Sequence, residues 1–395
     1  MPNFKDGPLT GVKVLDLTTV IMGPYGARIL ADMGADVIKI ESPEGDLMRD
    51  FKPYRNAGMS GQFLHLTRNK RSLVLDLKRP PAIAALRRLI AKSDVFVHNM
   101  RPKAIGRLGL DYTAVRQLNP DLIYCGAYGF GTGGPYEDKA AYDDLIQASC
   151  GLAELFARFD GEPAYVPTTL FDKLTSQTVA YSIVAALYKR ASGGGGQQIE
   201  VPMFETAIEF MMNEHICGGA FEPPLGGMGY PRLLTRSRKP FRTIDGYVGM
   251  MPYTTKNWND FFDYVGVPEL KGDERFATFD SRVEHTDDLY GLIDREVAKR
   301  TTAELIKFCD SVSIPCMPVN SLDDLPSDPH VRSVGLIEVK EHPTEGKYRY
   351  VRSSVKFDGA HLKLRRHAPT LGQNSVEVLA EFGLSDDDIA QALGE

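Results

Sequence analysis

The sequence predicts an α/β protein built on a parallel sheet, and two observations carry that prediction. Short buried-looking runs alternate with helical segments through the first half, and the segments joining them hold apolar residues at helical spacing. Val12–Leu17, Asp36–Glu41, Leu73–Leu77, Asp94–His98 and Leu122–Gly126 read as strands. Tyr25–Met33 and Ala82–Ala91 read as the helices between them, and Asp111 with Asn119-Pro120 brackets a third, shorter helix. A long helix follows from about Lys173 to Arg190, with Leu174, Val179, Ile183 and Leu187 on overlapping faces. The run Ser192-Gly-Gly-Gly-Gly196 ends it as a tight turn before a strand at Gln198–Val201.

From Gly218 to Arg242 the composition shifts to Gly, Pro and Arg, the signature of a linker. Beyond it, Trp258–Tyr264 and Thr302–Ser311 read as helices of a smaller domain. The expected division is therefore 1–217 as a large domain, 218–242 as linker, 243–325 as a small domain, and 326–395 as a return to the large one.

With 395 residues and 43% hydrophobic content, the chain buries a sizeable core. Lys+Arg number 46 against 52 Asp+Glu, so no overall positive field exists to hold nucleic acid. The five cysteines lack paired metal-site spacing and read as reduced thiols, and no metal is expected. The first ten residues carry no signal-peptide core and no run reaches membrane-spanning length; a cytoplasmic enzyme without membrane contact is expected.

Several motifs exclude chemistry. The first strand-to-helix turn, Thr18–Gly26, lacks dinucleotide glycine spacing and contains Pro24. Gly129-Phe-Gly-Thr-Gly-Gly134 matches that pattern, but Pro135 and a charged loop follow where a helix should begin. Walker, His-Glu-x-x-His and Gly-x-Ser-x-Gly motifs are absent. Asp172 stands at the start of the long helix, where an N-cap is the plain structural reading and a helix dipole would keep a nucleophilic carboxylate ionised. Asn69-Lys-Arg-Ser72 precedes the Leu73–Leu77 run and Asn99-Met-Arg-Pro102 follows another, so both sit near expected strand ends, where open sheets bind ligands.

Taken together, Pro8–Leu17, Leu30–Glu41, Asn69–Leu73, Asn119–Ile123, Gly129–Gly131 and Ala368–Gly372 resemble the class III CoA-transferase family, which includes formyl-CoA:oxalate and carnitine-system enzymes. The resemblance implies a Rossmann-like large domain formed by both chain ends, a smaller α/β domain, and an interlocked homodimer. It implies Asp172 as the nucleophile and Tyr142 beside the thioester. It also implies Val20, Ile21, Arg71, Ser72, Asn99, Met100 and Arg107 as contacts for coenzyme A, which acts as a substrate with no permanently bound cofactor. Two departures follow. Tyr142-Asp143 stands where related acyl-CoA racemases carry His-Asp, which removes one base of an α-proton exchange. The Gly193–Gly196 run aligns with a helix-to-strand turn, so the family's tetraglycine lid does not transfer. Arg232, Arg236 and Arg238 are expected to pair with the second carboxylate of a C4 to C5 dicarboxylate exchanged with succinyl-CoA. The competing expectations are an acyl-CoA racemase and a non-catalytic CoA-binding protein.

Overall fold

The structure is a computed structural model that describes residues 6–395; Met1–Lys5, part of the ten residues expected to carry no signal-peptide core, lie outside the described residues. The chain divides into two compact units, one comprising the residues up to Cys150 with Tyr165–Phe210 and His330–Glu395, the other Gly151–Ala164 with Met211–Pro329. The segment 218–242 falls inside the second unit in this division.

In the first unit the elements alternate as β1 (Lys13–Leu17), α1 (Met22–Asp32), β2 (Asp36–Glu41), α2 (Gly61–Thr67), β3 (Lys70–Val74), α3 (Pro80–Ile90), β4 (Val95–His98), α4 (Pro102–Arg107), α5 (Tyr112–Leu118), β5 (Ile123–Tyr128) and α6 (Asp143–Ser149). Helix α7 (Leu152–Asp160) belongs to the second unit. The first unit resumes with α8 (Leu170–Lys189) and β6 (Gln197–Pro202). All six strands are parallel, in the order β3-β2-β1-β4-β5-β6 of a Rossmann sheet. Continuous burial along β4 and β5 explains why these runs are apolar rather than alternating, and in the equally buried β2 the charged Lys39 and Glu41 are paired with Asp46 and Arg49.

One strand departs from expectation. β3 starts at Lys70 rather than Leu73, so the basic run Lys70–Ser72 is in the strand and not in a loop before it. Buried ion pairs make this possible: Lys70 Nζ lies 2.7 Å from Asp16 Oδ2 in β1, and Arg71 Nη2 lies 2.6 Å from Asp36 Oδ2 in β2. The C-terminal segment completes the same unit. Leu379, Phe382 and Ile389 share a core with Leu86, Leu89 and Phe96, and Asn374 Oδ1 accepts the Ser72 N–H.

The glycine run forms the turn between α8 and β6. Gly193 and Gly195 have φ of 87° and 66°, and a Cβ at Gly196 would fall 2.5 Å from the Asp121 backbone carbon. In the second unit, strands Phe241–Arg242, Tyr247–Met250 and Cys316–Pro318 pair antiparallel. Helices Thr255–Val265 and Thr302–Val312 begin at capping boxes on Thr254 and Thr301, and Trp258, Phe261, Phe262, Ile293 and Leu305 fill its core.

Candidate active site

The C-terminal edge of a parallel sheet leaves a crevice where strand order reverses, here between β1 and β4. A cleft of about 850 Å³ opens there, lined by Thr19 after β1, by Asn99 and Met100 after β4, and by Arg101, Lys103 and Arg107. Asn99 ties the two strand ends together: its Oδ1 accepts the Thr19 N–H at 3.0 Å and its Nδ2 donates to Thr19 O at 2.9 Å. Arg101 and Arg107 suit a phosphorylated ligand, while Lys103 is paired with Asp138, one of the carboxylates that also line the cleft.

The turn leaving β1 is strained. Val20 has φ 70°, a conformation costly for a β-branched residue, and its N–H is held by Asp46 Oδ1 at 3.2 Å. Asp46 in turn takes the buried Lys39 ammonium at 2.7 Å, which also donates to Thr18 O at 2.9 Å. Burial opposes the charge on Lys39, but Asp16, Asp46 and Glu41 outweigh it and hold the ammonium above its ordinary range. Val20 and Ile21 pack against Met48, Met59, Phe63, Leu64 and Ala368.

Arg71 and Ser72 are engaged elsewhere. The Arg71 guanidinium meets three carboxylates, Asp36, Glu377 and Glu381, at 2.6, 3.1 and 2.8 Å. Ser72 Oγ donates to Glu41 Oε1 at 2.7 Å and accepts from the Gly372 N–H at 2.9 Å. Both therefore fasten β3 to β2 and to the C-terminal segment, and neither lines the cleft.

Asp172 lies within the first turn of α8, with Thr169 rather than Asp172 at the cap position, because the helix starts three residues before the expected Lys173. Its backbone N–H donates to Asp143 Oδ2 at 2.8 Å. The Asp172 carboxyl is half-buried, and burial together with the neighbouring Asp143 charge pushes its pKa up to about 6, Lys173 opposing in part. Here desolvation and like charge outweigh the helix dipole invoked from sequence, and the carboxylate is more basic than an ordinary aspartate. Tyr142 precedes α6 and is 66% exposed.

Two residues not assigned from sequence organise this corner. Asp143 is buried, and Gln147, one turn further along α6, donates through Nε2 to Asp143 Oδ1 at 2.5 Å while its Oε1 accepts the Val166 N–H at 2.8 Å. The i, i+4 spacing was the available signal for this pair. Ser176 Oγ lies 2.6 Å from both Asp172 O and Met22 O, joining α8 to α1.

The three arginines expected to read the acceptor belong to the second unit. Arg232 lies over the Tyr253 ring at 4.8 Å and the Phe279 ring at 5.7 Å. Hydrogen bonds to Tyr253 and Tyr290 raise its pKa against the cost of burial. Arg238 borders a pocket of about 440 Å³ with Phe241, Met250 and Cys316, and Arg236 lies close to Gly161.

Comparison with known proteins supplies a context for this geometry. A model of CoA-transferase family III matches residues 9–375. A succinate–glutarate CoA-transferase of Agrobacterium fabrum is 33% identical over 393 residues, covering 97% of each chain. The human succinyl-CoA:glutarate CoA-transferase is 29% identical, covering 100% of this chain and 89% of its own. Among solved structures, a CAIB/BAIF family protein from Brucella suis superposes with a TM-score of 0.81 at 30% identity, covering 95% of this chain and all of that one.

Proposed function

The chain belongs to CoA-transferase family III, and from that premise we propose that it transfers CoA from succinyl-CoA to a small dicarboxylate through covalent chemistry at Asp172. The observation that carries the assignment is the Asp172 carboxyl itself, half-buried in the first turn of α8 beside the like charge of Asp143. The names of the Agrobacterium and human relatives, which join succinate or succinyl-CoA with glutarate, support the choice of substrates.

In this reading an Asp172 oxygen attacks the thioester carbonyl, the C–S bond breaks, and CoA leaves as a thiolate from a mixed aspartyl-acyl anhydride. The thiolate attacks the aspartyl carbonyl, expelling the donor acid as its carboxylate and leaving an aspartyl-CoA thioester. The acceptor carboxylate then attacks that thioester, giving a second anhydride and releasing the thiolate. Attack of the thiolate on the acceptor acyl carbon yields the new acyl-CoA and restores Asp172. No net proton is gained or lost. The raised pKa suits Asp172 as nucleophile, since it remains mostly ionised above pH 6 while being more basic than a solvated aspartate.

CoA is read as lying in the cleft at the β1–β4 switch, with Asn99, Met100 and Arg107 on its wall, Val20 and Ile21 in the adjoining turn, and Tyr142 near the thioester. Arg71 and Ser72 act on it through the frame of β3. We infer an interlocked homodimer and a cytoplasmic location, which the free cysteines of the described residues fit. Mass spectrometry of the protein mixed with succinyl-CoA tests the mechanism: a hydroxylamine-labile adduct mapping to Asp172 is expected. An Asp172→Ala protein that still turns over sinks it.

A further inference from the structure

A second pocket in the first unit, of about 630 Å³, is walled by α1, α2 and the start of α8, and Thr168, Thr169 and Lys173 bring it to the turn that carries Asp172. Its character is unusual for a surface pocket. Arg28, Lys52 and Lys173 supply three cations, no carboxylate lines it among the described residues, and the remaining wall is largely apolar through Ile21, Met48 and Leu66. His65 adds no charge at neutral pH, because burial, then Arg68 and Arg28, push its pKa down to about 4.

Arg28 is the unsatisfied member of this group. Its side chain is only 16% exposed, its Nε is buried without a hydrogen-bond partner, and the nearest anion, Asp32, lies 3.6 Å away. Asp32 is already taken by Arg68, at 3.1 and 2.8 Å, and by Asn69 Nδ2 at 2.8 Å. One carboxylate thus faces two guanidinium groups, and the Arg28 group stacks over Tyr25 at 4.3 Å with its Nε unpaired. Arg28 stacks over Tyr25, one turn back along α1, and at Met22 the same helix meets Ser176, one turn beyond Asp172 on α8.

We propose that Arg28 is the specificity-determining anchor of the acceptor acid, binding the far carboxylate of a C4 to C5 dicarboxylate while the near one reacts at Asp172. The methylene chain lies along Ile21, Met48 and Leu66, and Lys52 and Lys173 add attraction at the mouth. This inference rests on the transferase reading above, and it moves recognition of the second carboxylate from Arg232, Arg236 and Arg238 to α1 of the first unit.

The test is acceptor preference with succinyl-CoA as donor: kcat/KM for glutarate divided by kcat/KM for pentanoate, an acid of equal length with one carboxylate. In a covalent exchange this ratio isolates the acceptor half-reaction. Arg28→Gln is expected to lower the ratio at least tenfold, with part of the loss recovered in Arg28→Lys. Should Arg28→Gln fail to fold, as thermal unfolding would reveal, Lys52→Gln decides, with an expected two- to threefold fall. A ratio unchanged in the folded Arg28→Gln protein, or in Lys52→Gln when that variant must decide, overturns the proposal, as does a ratio that responds only to Arg236→Gln or Arg238→Gln. Adduct formation separates the two levels of inference. An Asp172 adduct with an Arg28-independent ratio removes the anchor alone, and no adduct from any acyl-CoA removes both.

Discussion

Asp16 and Asp172 are aspartates of the same unit placed in opposite surroundings. Asp16, at the centre of the sheet, is fully buried, yet Lys70 and Lys39 overcome that burial and hold its pKa below the ordinary value. Asp172 is only half-buried, yet burial first and the neighbouring Asp143 carboxylate second raise its pKa to about 6, with only Lys173 opposing in part. Burial alone therefore does not decide how a carboxylate behaves; what decides is whether enough opposite charge stands beside it to offset the burial. The protein pairs its structural acids and withholds a partner from the one proposed to react.

The contrast is sharpest under mutation. Asp172→Ala is expected to reduce turnover by roughly ten-thousandfold or more, as for loss of a covalent nucleophile, measured with succinyl-CoA and glutarate. Asp16→Asn strands the buried Lys70 without its anion, while Lys39 keeps Asp46, and is expected to cost about 3–5 kcal/mol in urea unfolding, enough to threaten the fold. Asp172→Asn should do the reverse. The folded pKa of Asp172 lies above the 3.8 of the unfolded chain, so the native state is favoured by its proton below pH 3.8, and that contribution is lost as pH rises through about 6. Asparagine keeps the neutral form, so the inactive variant is expected to be more stable than the parent by about 1–2 kcal/mol at pH 8. The difference should vanish below pH 4. A variant no more stable at pH 8 would mean that Asp172 is not destabilised where it stands. Asp143→Asn removes the like charge and is expected to move the acid limb of kcat/KM to lower pH by about one unit or less.

The same electrostatics explain what could be read from the sequence and what could not. β4 and β5 were legible because their runs are apolar, and β1 and β2 because Val, Leu and Ile dominate their centres between turns. The start of β3 was not, because Lys70 and Arg71 look like loop residues unless Asp16 and Asp36, far apart in sequence, are known to sit opposite them. Arg71 was thereby assigned to a ligand-binding strand end, whereas it is paired with three acids. Asp172 was legible as a carboxylate at a helix start, but its raised pKa depends on Asp143, twenty-nine positions earlier and brought close only by folding. The orphaned donor on Arg28 left no trace in sequence at all, since its competitor for Asp32 is Arg68.

The fastening of β3 to the end of the chain has a consequence for how the protein is made. Ser72 waits for Asn374, Asn69 for the backbone of Arg365 and Arg366, and Arg68 for Val351 O. These partners leave the ribosome roughly three hundred residues after the strand does, so during synthesis the edge of the sheet stands exposed with charged side chains in place of a cover. Those charges disfavour pairing with the edge of another nascent chain until the last segment arrives to close it.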